Sequence, residues 1–269
     1  MYNKFILLFF FLAFNKAYTQ RDTTLEFKFR ETKIQVKIIY PQTKVKGNIL
    51  LLHGYNLPAM QWCEKTDFCH LASQHGYILL VPDFSKTTYQ EKFYTQTNPL
   101  FLKYPTRKWI RDTVITSLQN NFKMLVKGEN NYVLGLSTGA RGAALLSVDL
   151  PEVFKAAACL SGDFDQYLLP FEKIYQNYYG KFSLYKTIWK TDDNLHYLIK
   201  KWKIPVYLAH GKLDKICPVS QTINFYKLLI KTYPKLTVKL KIDNTAAHDY
   251  LFWGSQSKPV IDFFNQFNN

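Results

Sequence analysis

Apolar positions along the chain follow two patterns. LEFKF (25–29) and KIQVKIIY (33–40) alternate apolar and polar residues, the period of strands with one face to solvent, and read as an antiparallel pair at a sheet edge. NILLLHG (48–54), YILLVPDF (77–84), NYVLGLS (131–137), VFKAAACLSG (153–162) and IPVYLAHG (204–211) are unbroken apolar runs bounded by Gly or Pro. Such runs are expected of parallel strands buried on both faces. TVKLKID (237–243) reads as a further, more exposed strand. Helical patterns lie between them, near Asp67 to His75, Arg107 to Val126, Ala140 to Asp149, Gln221 to Thr232 and Gln256 to Phe267. Strand alternating with helix predicts an α/β architecture: a mostly parallel, doubly wound sheet with right-handed crossovers and an antiparallel N-terminal edge. One interval after the sixth strand breaks the rhythm. Residues 166–202 are aromatic, charged and longer than an ordinary connection, and read as an excursion over the strands' C-terminal edge, where such folds bind ligands. Its aromatics either line a cleft or pack the excursion onto the body.

The N-terminus departs from this pattern. Lys4 precedes ten apolar residues, Phe5 to Phe14, followed by small and polar ones. That order is a secretory signal peptide's, and the run is too short to span a bilayer as a helix. Cleavage after Ala17 or Thr19 divides the chain into a signal peptide, 1–19, and one domain, 20–269, that is exported to the periplasm or secreted, with no stable membrane insertion after cleavage. Export would let disulfides persist among Cys63, Cys69, Cys159 and Cys217. Cys63 and Cys69 are close enough to pair across a loop, although within one regular helix they would face apart. CEKTDFCH lacks a standard zinc spacing, so no metal site is expected there. Cys159 lies in an apolar strand and reads as a buried thiol. The formal charge of +15 comes from scattered lysines, the look of solvated strand edges, and no nucleic-acid motif accompanies it. The oligomeric state is not legible.

The candidate chemistry begins at Gly135-Leu136-Ser137-Thr138-Gly139, a G-x-S-x-G between a buried strand and a helix. A serine at such a turn sits exposed on strained backbone, and glycines remove the Cβ atoms that would clash. A serine hydroxyl needs a base, and the chain order expected on this architecture is Ser, acid, His. Asp214 follows IPVYLAHG, and His248 follows TVKLKID in a small-residue loop; both fall at strand C-termini, on the same edge as Ser137. Asp163, after the preceding strand, is the reserve acid. His53 and His210, at strand-end turns, read as packing residues rather than bases. Two backbone N–H groups are expected to meet the developing oxyanion: that of Thr138, and that of Tyr55 in the loop after LLLHG, with Asn56 second.

LLLHGYN, GLSTGARGAALLSVDLPEVFKAAACLSGDFD, VYLAHGKLDKICPV and AAHDYLFW, and YYGKFSLYKTIWKTDDN in the excursion, resemble the α/β-hydrolase superfamily. Within it they are similar to the esterase group related to esterase D (S-formylglutathione hydrolase). The resemblance spans most of the chain after residue 19. It implies a serine carboxylesterase using Ser137, Asp214 and His248, with no cofactor. Thr138-Gly139-Ala140 stands where Met-Gly-Gly is commoner. The reading is an exported serine hydrolase acting on a small-molecule or polymer-linked ester. Its alternatives are a serine peptidase or amidase on the same fold, or a hydrolase-fold binding protein without activity.

Overall fold

A computed structural model describes residues 22–29, 32–101, 106–190 and 193–269; the N-terminal signal-like run lies outside them. Eight strands form one sheet: β1 (Thr23–Phe29), β2 (Thr32–Ile39), β3 (Gly47–Leu52), β4 (Tyr77–Pro82), β5 (Asn131–Leu136), β6 (Ala156–Leu160), β7 (Val206–Gly211) and β8 (Val238–Asp243). Their spatial order is β1-β2-β4-β3-β5-β6-β7-β8. β1 pairs with β2, and β2 with β4, antiparallel; every later pairing is parallel. The alternating runs therefore sit at one edge and the unbroken runs in the middle. β3, β4, β5, β6 and β7 are buried at every position, whereas β8, at the other edge, is half-buried.

Successive side chains of a strand point to opposite faces, so the central strands feed two cores. Leu50 and Leu52 of β3 join one core, with Val133, Ala157 and Leu208; Ile49 and Leu51 join the other, with Leu134, Ala158 and Ala209. The second core is roofed by α1 (Gln61–Lys65), α2 (Phe68–Gln74) and, from the C-terminus, α10 (Tyr250–Ser255) and α11 (Ser257–Asn265), through Trp62, Phe68, Trp253 and Phe264. The first core is covered by α3 (Thr106–Trp109), which runs through a π-helical stretch (Ile110–Ile115) into α4 (Thr116–Phe122), and by α5 (Thr138–Asp149) and α9 (Val219–Thr232).

The helix expected to reach Val126 stops at Phe122. Lys123 takes a left-handed conformation (φ 56°), its N–H closes back on Leu118, and Leu125 is also left-handed. The separate α1 and α10 do not appear in the sequence reading, since five and six residues are too short for a periodicity. The break between α1 and α2 answers the cysteine question. Cys63 and Cys69 lie on different helices, their Cα atoms 5.1 Å apart, and form a disulfide. Cys159 and Cys217 are buried thiols.

The excursion holds three short helices, α6 (Lys173–Tyr179), α7 (Phe182–Tyr185) and α8 (Leu195–Leu198), with 3-10 turns before α6, between α7 and α8, and after α8. Tyr175, Tyr178, Tyr179 and Trp189 form a small aromatic core of its own. Tyr179 lies 5.7 Å from Trp189, and Phe182 meets the same indole edge to face at 5.3 Å. Most of these aromatics thus pack the excursion together; Tyr175 also faces a cavity.

Candidate active site

Strand β5 ends at Leu136 and α5 begins at Thr138, which leaves Ser137 alone to make the turn. It does so at φ 54° and ψ −126°, a conformation that L-residues avoid and that persists only where neighbours hold it. The Ser137 N–H donates to the Leu160 carbonyl (2.9 Å), and its own carbonyl starts α5 by accepting from Ala140 (3.0 Å). The flanking glycines are sterically required. A Cβ on Gly135 would overlap the Gly139 carbonyl, and one on Gly139 would overlap the Leu52 carbonyl of the neighbouring strand.

The two other predicted side chains converge on this hydroxyl. His248 Nε2 lies 3.0 Å from Ser137 Oγ, and His248 Nδ1 lies 2.6 Å from Asp214 Oδ2. The imidazole is packed edge to face by Trp253 at 5.0 Å; the indole N–H in turn donates to Ser161 Oγ (3.0 Å). Asp214 follows β7, and its side chain is fully buried. Its second oxygen, Oδ1, accepts from the N–H groups of Ile216 (2.9 Å) and Cys217 (2.8 Å). Burial opposes ionisation of this carboxyl. Hydrogen bonds from His210, His248 and the Cys217 N–H outweigh it and hold the group well below the usual carboxylate range.

His210 is more than a packing residue. Its Nε2 sits 3.1 Å from Asp214 Oδ2 and 3.0 Å from the Cys217 carbonyl, and its Nδ1 sits 2.7 Å from Thr222 Oγ1. Both neighbours of Nε2 are acceptors, so Nε2 carries the proton and donates toward Asp214. The signal in the sequence was the four-residue spacing from His210 to Asp214 across the strand end, which brings the two side chains together once the chain turns. His53 is a packing residue, as expected: its Nε2 accepts from the Phe84 N–H (2.8 Å), its Nδ1 is 2.7 Å from the Gly54 carbonyl, and burial lowers its pKa.

Ser137 and His248 open onto a cavity of about 270 Å³ that Tyr55, Thr138, Asp163 and Cys217 also line. Thr138 is the first residue of α5, where an N–H has no partner within the helix. Of the two candidate residues in the loop after β3, Asn56 has its N–H committed to the Ser85 carbonyl (3.0 Å), which leaves Tyr55. The reserve acid Asp163 lines the cavity but does not bond His248, whose Nδ1 is taken by Asp214. Among the described residues, no group of three or more His, Cys, Asp or Glu side chains is placed to hold a metal ion.

Against known sequences, the profile of the prolyl oligopeptidase family matches residues 67–267, well over half of the chain. The chain belongs to the prolyl oligopeptidase family. No curated protein sequence matches it. Among solved structures it is similar to the fluorophosphonate-binding serine hydrolase F of Staphylococcus aureus, with a TM-score of 0.73 at 18% identity, covering 91% of this chain and 98% of that one. It is also similar to an S-formylglutathione hydrolase from Agrobacterium tumefaciens (TM-score 0.76, 14% identity, 92% and 95% covered). A third likeness is to the acylaminoacyl peptidase of Pyrococcus horikoshii (TM-score 0.67, 17% identity), where 96% of this chain matches 43% of that one. The fold is the α/β-hydrolase fold of serine hydrolases and esterases, as the resemblance implies.

Proposed function

We propose that this member of the prolyl oligopeptidase family is an exported serine hydrolase that cleaves carboxylic esters through an acyl-enzyme. The observation that carries the reading is the unbroken chain from Ser137 Oγ through His248 to Asp214, with contacts of 3.0 Å and 2.6 Å. In this reading His248 Nε2 takes the Ser137 proton as Oγ bonds to the substrate carbonyl carbon. The ester C–O bond then breaks, and the same proton passes to the leaving alcohol. Water, deprotonated by His248, next attacks the acyl carbon and releases Ser137. Asp214 accepts from Nδ1 throughout, which orients the ring and favours its charged form. The N–H groups of Tyr55 and Thr138 meet the oxyanion of each tetrahedral intermediate. The cavity's size suits a small substrate or one end of a larger one.

A fluorophosphonate probe tests the reading. Folded wild-type protein is expected to be labelled at one site, and Ser137→Ala to take up none. A folded wild type that stays unlabelled overturns the assignment. The family match supports a second reading, an amidase or peptidase using the same groups; rates on an ester and an amide with a common acyl group separate the two. Export draws support from the N-terminal apolar run and from the Cys63–Cys69 disulfide. N-terminal sequencing of the protein recovered outside the cytoplasm is expected to begin at Tyr18 or Gln20. Retention in the cytoplasm with Met1 in place rejects export.

A further inference from the structure

The chain carries 35 Lys and Arg against 20 Asp and Glu, yet among the described residues its candidate active-site cavity is lined by two carboxylates, Asp163 and Glu172, and by no Lys or Arg. Asp163, just past β6, is only 9% exposed. One of its oxygens, Oδ2, accepts from the Tyr175 hydroxyl. The other, Oδ1, is buried with no hydrogen-bond partner. The main-chain N–H of Asp163 pulls the carboxyl's pKa down, but Oδ1 itself accepts no hydrogen bond.

The nearby cation is already engaged. Arg141 donates to the Thr88 carbonyl, Gln166 Oε1, the Tyr179 hydroxyl and the Asp193 carbonyl, and it lies over the Tyr175 ring at 5.3 Å rather than against the carboxylate. Burial, and more weakly the charge of Glu172, push the Asp163 carboxyl up; Arg141 and His248 pull against them through space. A buried carboxylate with an open lone pair is costly until a donor reaches it, and a cationic donor relieves the most. Leu57, Leu169, Ile174 and Ile216 line the same cavity and would cover the methylenes leading to such a donor.

We propose that the Asp163 side of this cavity is a subsite for a substrate ammonium group, so that the preferred substrate carries a protonated primary amine a few bonds from its reacting carbonyl. The proposal rests on the reading of this cavity as the acyl-transfer site, but ammonium binding is an equilibrium property that needs no turnover. A substrate hydroxyl could reach the same oxygen; the two carboxylates together favour the charged donor. The contact serves an ester or an amide equally, since it lies away from the bond that breaks.

The test is calorimetric titration of Ser137→Ala protein with n-alkylammonium chlorides and with n-alkanols, from propyl to hexyl. At the best chain length the ammonium is expected to bind at least about tenfold tighter than the matching alcohol, the size of one charge-assisted hydrogen bond. Adding Asp163→Asn should cut that preference below about twofold, the part that charge at Asp163 does not supply. Adding Tyr175→Phe, which releases the carboxylate from the phenol, should raise it. Equal affinities for ammonium and alcohol at every length overturn the proposal, as do tighter binding of the alcohol and a preference that survives Asp163→Asn in a folded protein. If Asp163→Asn does not fold, Tyr175→Phe decides: no gain in ammonium preference rejects the subsite. Ammonium preference in a wild type that takes no fluorophosphonate would leave the subsite standing and sink the hydrolase reading alone.

Discussion

Asp214→Asn is expected to lower kcat by roughly 10⁴, the loss that follows when the histidine of a Ser-His-Asp site is held in the wrong tautomer. The amide keeps the shape of the side chain, and its oxygen can still accept from the Ile216 and Cys217 N–H groups. Its NH2 then faces His248 Nδ1 and His210 Nε2, where the carboxylate accepted from both. Donor meeting donor reverses the imidazole, so that Nε2 points a proton at Ser137 Oγ and cannot take one. The same substitution should change the acid limb of stability. Asp214 is held below the usual carboxylate range, so as pH falls the unfolded chain binds this proton before the folded one does. Its contribution is complete above about pH 4 and is lost as pH falls from there through the depressed folded value. The variant lacks this component, so its melting temperature should fall less steeply on acidification than that of the wild type. Steady-state kinetics on a chromogenic ester and melting curves between neutral and acid pH measure both effects. A fall in kcat of less than about tenfold would remove Asp214 from the proposed relay, because a bystander costs no more than one ordinary hydrogen bond.

What the sequence made legible followed from local rules. Strand burial on both faces leaves an apolar run whatever the rest of the fold does, so the central strands were readable, and the serine turn was readable because only glycine fits at 135 and 139. Asp214 and His248 were found because chain order on a parallel sheet puts strand C-termini along one edge. What stayed hidden depends on turns, helix breaks and coverage that the apolar period does not mark. The bond from His210 to Asp214 forms only once the turn after β7 closes, which the Asp214 N–H does by donating to the Gly211 carbonyl (3.2 Å). The disulfide required a helix break at Thr66 that the apolar period does not mark. Arg141 reads in the sequence as an ordinary polar position of a helix, GARGAALL, with nothing to show that every side of that helix is covered.

Arg141 is fully buried in α5, four residues beyond Ser137. Its guanidinium ties the turn to the excursion and to the loop after β4: to Gln166 (2.9 Å), Tyr179 (3.2 Å) and Asp193 on one side and to the Thr88 carbonyl (3.2 Å) on the other. Desolvation disfavours the cation, and the hydroxyl of Tyr179 with the nearby Asp163 and Asp193 more than restores it. Arg141→Met fills a similar volume but supplies no donor. It strands those acceptors and leaves Asp193, itself buried, facing Arg107 at 3.5 Å. Breaking a buried charge network from one side costs about 3–5 kcal/mol. For a chain of this size that corresponds to a melting temperature lowered by roughly 10 °C. The damage should not spread evenly. Arg141 holds the excursion at Gln166, Tyr179 and Asp193 together, so limited proteolysis is expected to cut first within 166–202. Activity should fall with it, since Leu169, Glu172, Ile174 and Tyr175 of that segment form one wall of the cavity. A variant that melts within about 2 °C of the wild type, under 1 kcal/mol on the same scale, would show that the excursion holds its place without this cation.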